Sequence, residues 1–115
     1  MDELTRQLFT IKQLMTEAKL NMFDNEFSKL MLAKSSRYLS WLRATGHAPA
    51  IDAMVHLYLR LDNLADSHKE TGNNLVAEQI DDMAGSLWAT IRKTVLAMEP
   101  NRRNKAHTPL VNGAR

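Results

Sequence analysis

Eight residues in the first half of the chain have the types and spacing to bind a polyanion: Lys34, Ser35, Ser36, Arg37, Ser40, Trp41, Arg43 and His47. Residues 34–48 carry three bases and no acid. An arginine can offer paired donors to a guanine edge, while serine hydroxyls, lysine and free N–H groups at a helix start suit phosphate oxygens. A tryptophan in such a stretch can stack on a sugar or pack at a protein surface. The plainer alternative is a solvated face of a helical bundle, with Tyr38 and Trp41 as packing residues.

Charge along the chain sharpens this contrast. Residues 1–33 hold four bases and five acids, and residues 49–99 hold four bases and eight acids. Residues 100–115 hold Arg102, Arg103, Lys105 and Arg115 with no acid. The net charge of +2 is therefore a basic segment and a basic tail on an acidic body, an asymmetry that matters more than the total.

Other chemistries find little support. The chain has no cysteine, which removes disulfides, thiolate metal sites and cysteine nucleophiles. His47, His56, His68 and His107 are scattered; His47 and His56 flank Asp52 at a spacing too loose for zinc. Glu78, Asp81 and Asp82 read as a solvated helix face rather than an acid–base pair. There is no phosphate-binding glycine loop and no Gly-x-Ser-x-Gly elbow. The expectation is a non-enzyme without cofactor or metal. No apolar run is long enough to span a membrane, and Met1-Asp2-Glu3 is acidic where a secretory signal is basic, so a cytoplasmic protein is expected.

Those eight residues need a helical frame. At 115 residues, 44% apolar, the chain suits one domain with one core. Leu4, Leu8, Ile11, Leu14, Met15 and Ala18 recur at helical spacing and predict a first helix over about 3–19, capped by Asp2. Asp24 reads as the next cap, before a short helix of about 25–33 with Phe27, Leu30 and Met31 inward. Ser35 or Ser36 then caps a third helix of about 36–44, with Leu39 and Leu42 inward and Gly46 ending it. Pro49 suits the first turn of a fourth helix, running to about Asp66 on Met54, Leu57, Tyr58, Leu61 and Leu64. Ser67 to Asn74 reads as a loop. A fifth helix of about 74–98 carries Leu75, Val76, Ile80, Met83, Leu87, Ile91 and Val95, and Pro100 ends it. The fold class is all-α, with a helix-turn-helix at about 24–46 followed by a helical hairpin. Residues 1–99 form the domain and residues 100–115 a basic tail expected to be disordered.

Phe27-Ser28-Lys29-Leu30-Met31-Leu32, then Tyr38-Leu39-Ser40-Trp41-Leu42-Arg43, then Gly46 and Pro49, resembles the helix-turn-helix of the phage Cro and repressor (XRE-like) family. The resemblance covers roughly residues 22–66. It also extends to short helix-turn-helix-like bacterial proteins of uncharacterised function. It departs from the pattern in three places. The supporting helix or its turn is about one residue longer, Leu32-Ala33-Lys34 stands where a turn glycine is common, and Asn25 and Glu26 replace a Thr-Gln start.

This resemblance implies a small transcription regulator of bacterial or phage origin, binding double-stranded DNA through the helix at about 36–44. Such proteins bind paired half-sites, and the stripe of helix five, including Trp88, can be shared across a two-fold axis, so a homodimer is expected. The alternative is a helical adaptor or antagonist that binds a protein partner through the Arg37/Trp41/Arg43 face or the Trp88 face.

Overall fold

Five helical segments and no strand make up the residues that the computed structural model describes, 2–20 and 22–106, with side chains described through Met98. The first is α1 (Glu3–Glu17), started by Asp2, whose carboxylate accepts from the Thr5 N–H at 2.9 Å. Leu4, Leu8, Ile11 and Met15 point inward from it and are buried, as the periodicity predicts. Leu14 stays exposed at the edge of that stripe, and the helix ends two residues earlier than expected, before a left-handed Lys19.

The second segment begins as α2 (Asp24–Glu26) and runs directly into a π-helical turn, Phe27–Met31. Asp24 is its first helical residue rather than its cap; Phe23 holds that position, with its N–H bonded to the Glu26 carboxylate at 3.2 Å. The π turn shows in the bond from Leu32 N–H to the Phe27 carbonyl, five residues back, at 3.2 Å. A π turn takes up more chain than an α turn, so this segment holds one more residue per closed turn. Phe27, Ser28, Met31 and Leu32 are buried, whereas Leu30, expected inside, lies on the solvent side.

Ala33 closes this segment at φ +54°, in the left-handed region that favours glycine. Across it, Lys34 N–H reaches the Ser28 carbonyl at 3.0 Å. A Cβ costs about 1–2 kcal/mol in this conformation, partly offset by the greater freedom glycine has when unfolded. Ala33→Gly is therefore expected to raise the thermal midpoint by roughly 3–5 °C, checked by a calorimetric melt.

After the turn come α3 (Tyr38–Thr45), α4 (Ile51–Glu70) and α5 (Asn74–Ala106). Gly46 ends α3 at φ +73°, returning its N–H to the Leu42 carbonyl at 2.9 Å, as its position predicts. Pro49 lies before α4 rather than in its first turn, because Ala50 takes the cap position with extended backbone. Helix α4 continues to Glu70 and leaves only Thr71–Asn73 as a connection, so the expected loop at 67–74 is mostly helix. Ser67, exposed, and His68, half-buried, are tolerated there because polar side chains outside the core cost a helix little.

Helix α5 passes through Pro100 to Ala106, which corrects the expectation that Pro100 ends it and that the tail is irregular from that residue. Proline's fixed φ is the helical value; it removes one N–H and crowds one carbonyl without forbidding further turns. The rest of the expected tail, residues 107–115, lies outside the described residues.

The core is one cluster. Leu8 and Ile11 from α1, Phe27 and Leu32 from the second segment, Leu39 from α3, Leu57 and Leu61 from α4, and Ile80 and Leu87 from α5 are all fully enclosed. Each contributes about 1.5–3 kcal/mol by burial. Helices α4 and α5 share the most extensive contact, forming the expected hairpin, and α1 lies along α5. There Gln7 donates to the Ser86 hydroxyl at 3.1 Å and accepts from the Thr90 hydroxyl at 3.3 Å. Leu75, placed in the α5 stripe by its sequence position, stays in solvent.

Candidate nucleic-acid interface

The orientation of α3 follows from two buried leucines. Leu39 and Leu42 fix one side against the core, so Ser40, Trp41 and Arg43 face out. Helix α3 starts at Tyr38, with Arg37 at the cap position and no side-chain cap of its own. Ser35, Ser36 and Arg37 therefore sit in the turn before the helix, a correction to a helix expected from about 36. All three are exposed, as is His47 beyond Gly46, while Lys34 is half-buried.

Neither Ser35 nor Ser36 supplies the capping oxygen. It comes from Ser28 on the supporting segment, whose hydroxyl accepts from Leu39 N–H at 3.0 Å and donates to the Asp24 carbonyl at 2.8 Å. Ser28 is fully buried, so these two bonds satisfy a hydroxyl and an amide that water cannot reach. One side chain thus locks the two short helices together. Residue spacing hides it, because the partner amide is eleven positions away.

The carboxyl-terminal side of the face is aromatic. The Trp41 ring stacks on His47 at 4.9 Å and 19°, and lies 6.1 Å from the Tyr38 ring. Tyr38 also turns its hydroxyl to the α4 entry, accepting from Ala50 N–H at 2.8 Å. It is a packing residue with a polar tip, which matches the plainer reading of its position. Trp41 remains 46% exposed, a large apolar surface beside the bases.

The three bases differ in their surroundings. Lys34 Nζ is 3.0 Å from Asp52 Oδ2 and lies 5.7 Å over the Tyr38 ring. The hydrogen bond from Lys34 is the main cause that holds the Asp52 carboxyl below its ordinary value; desolvation opposes it, and the lysine charge adds a smaller lowering. Arg43 Nη1 is 3.0 Å from Asp24 Oδ2, and its guanidinium sits 4.7 Å over the Phe9 ring. Asp24 is shared, since Lys12 Nζ reaches its other oxygen at 3.1 Å. Among the described residues no acid lies within ion-pair distance of Arg37. Neither Asp24 nor Asp52 stood out in the sequence as part of this face.

His56, on α4, packs toward the second segment. Its Nδ1 is 3.0 Å from the Met31 carbonyl, which can only accept, so that nitrogen carries the proton. Among the described residues no three His, Cys, Asp or Glu side chains gather in a metal-holding group. A hollow of about 520 Å³ lies against α3, lined by Asp2, Thr5, Phe9, Leu42, Arg43 and Gly46. No helix among the described residues is long and apolar enough to cross a membrane.

These features define an all-helical protein whose two short central helices present a basic, hydroxyl-rich and aromatic face. The chain belongs to a family of unknown function, DUF6626, whose model matches residues 8–106 and so spans α1 from Leu8 onward and every later helix. No curated protein and no solved structure matches the chain.

Proposed function

We propose that the protein binds duplex DNA through the turn at 34–37 and the outer side of α3, as a small non-catalytic transcription regulator. The observation that carries this reading is the exposure of Ser40, Trp41 and Arg43 on a helix anchored by Leu39 and Leu42, with Ser35, Ser36 and Arg37 exposed in the turn before it and His47 exposed beyond its end. In this reading Arg37 meets a base edge in the major groove, and Ser35, Ser36, Ser40 and Lys34 meet phosphates. Trp41 and His47 flank the backbone. A homodimer pairs two such faces on adjacent half-sites, with the half-exposed Trp88 and its neighbour Tyr58, 5.1 Å apart, as a surface for self-association.

The test is a titration against random duplex DNA at about 50 and 200 mM salt, where phosphate contacts steepen the salt dependence. The Arg37→Ala/Arg43→Ala variant is expected to bind at least about tenfold more weakly at the lower salt, with a shallower slope. Absence of binding by the folded wild type at low salt would overturn the reading. One observation favours a second reading, a protein adaptor: two of the three bases are already paired, leaving Trp41 as the largest exposed group. That reading gains if DNA is not bound.

A further inference from the structure

We infer that Asp24 and Asp52 set the affinity of the α3 face for DNA by occupying two of its three cations, so that Arg37 alone meets the duplex unpaired. The inference rests on the proposed DNA-binding role of that face. Its basis is geometric. The two carboxylates stand at opposite ends of the recognition unit, Asp52 on the turn lysine and Asp24 on the last-turn arginine, each at 3.0 Å. Both come from other elements: Asp24 from the first turn of α2, and Asp52 from the first turn of α4.

The cation-rich segment is thus largely neutralised before any ligand arrives. Exposed ion pairs of this kind are weak and exchange readily, so a phosphate can take Lys34 or Arg43. The displaced carboxylate then stays within a few ångströms of that phosphate and repels it. Non-specific attraction to the backbone is held down as a result, while the Arg37 contact, which reads a base, is untouched. Discrimination is a difference of affinities and gains from weakening the wrong complex as much as from strengthening the right one.

Asp52→Asn is the informative variant. Its side chain is 75% exposed and its loss leaves the packing intact. It is expected to raise affinity for random duplex DNA roughly fivefold at about 50 mM salt and to steepen the logarithmic salt slope by up to about 0.9. Asp24→Asn should act in the same direction, and thermal melts of both variants establish that they are folded. Asp66→Asn, an exposed α4 residue outside the face, changes net charge equally and should shift affinity less than about twofold.

If wild type binds and Asp52→Asn changes neither affinity nor slope, the role of the carboxylates is overturned while the DNA-binding role stands. An equal rise in Asp66→Asn overturns it too, since net charge alone would then suffice. If neither wild type nor Asp52→Asn binds at low salt, the DNA-binding role fails and takes the inference with it.

Discussion

Phe27→Ala is expected to lower the unfolding free energy by about 3–5 kcal/mol, the largest loss from a single substitution in the supporting segment. Phe27 is wholly buried at the start of the π turn, and its ring also lies under the Lys12 ammonium at 5.9 Å. Truncation removes apolar area and leaves a cavity where the second segment meets the core. That segment is short and cannot collapse around the gap without giving up the π turn, because the Phe27 carbonyl holds Leu32 N–H. Domains of this size have about 5–15 kcal/mol to lose, so the variant stands near the unfolding threshold at ambient temperature. Urea denaturation checks it: the midpoint should fall steeply with an unchanged slope. A midpoint within experimental scatter of wild type would mean that Phe27 does not anchor the segment.

Ser28→Ala is expected to cost about 1–3 kcal/mol, more than a surface hydrogen bond, because the Leu39 amide it satisfies is enclosed. Alanine fits the space, so no clash contributes. What is lost is the side-chain oxygen that accepts from Leu39 N–H at the start of α3, together with a bond to the Asp24 carbonyl. Hydrogen exchange resolved by residue separates this from a general loss of stability. The Leu39 amide should lose protection beyond the global change, while Leu57 and Ile80 amides follow the global change alone. Equal effects at all three would show that the hydroxyl is not an individual cap. Since Ser28 sets the start of α3, the same variant should loosen the face that carries Arg37.

The periodicity of apolar residues was enough to read the architecture, because Leu8, Ile11, Leu39, Leu57 and Leu87 fall where a helix repeats and all are buried. Gly46 was legible for the same local reason: a residue with no Cβ just past an amphipathic run ends a helix. Features that depend on partners far along the chain were not legible. Ser28 caps a helix eleven residues on, Asp52 pairs with a lysine eighteen residues back, and nothing in the local pattern marks either. Residue preference points to caps at Ser35 or Ser36 and at Asp24, whereas the cap positions fall on Arg37 and Phe23, and the oxygen at the start of α3 comes from Ser28. Pro100 and Ser67 read locally as helix ends, yet α5 continues to Ala106 and α4 to Glu70, because a residue's local preference lowers a helix's stability without fixing where it stops. The exposed residues of the face were legible in type, while their ion pairing needed the fold.

The short connection Thr71–Asn73 bears on how an unfolded chain finds this structure. Its Gly72, at φ +83°, lets α4 reverse into α5 within three residues, so the most extensive helix contact closes almost no loop. The seat of α1 on α5, by contrast, joins Gln7 to Ser86 and Thr90, positions some eighty residues apart. Loop-closure entropy grows with the logarithm of length, which makes the second event costlier by roughly 2–3 kcal/mol if the two are formed from an otherwise open chain. The hairpin therefore shortens the effective span that α1 must cross, and the amino-terminal helix completes a core whose other side is already in place.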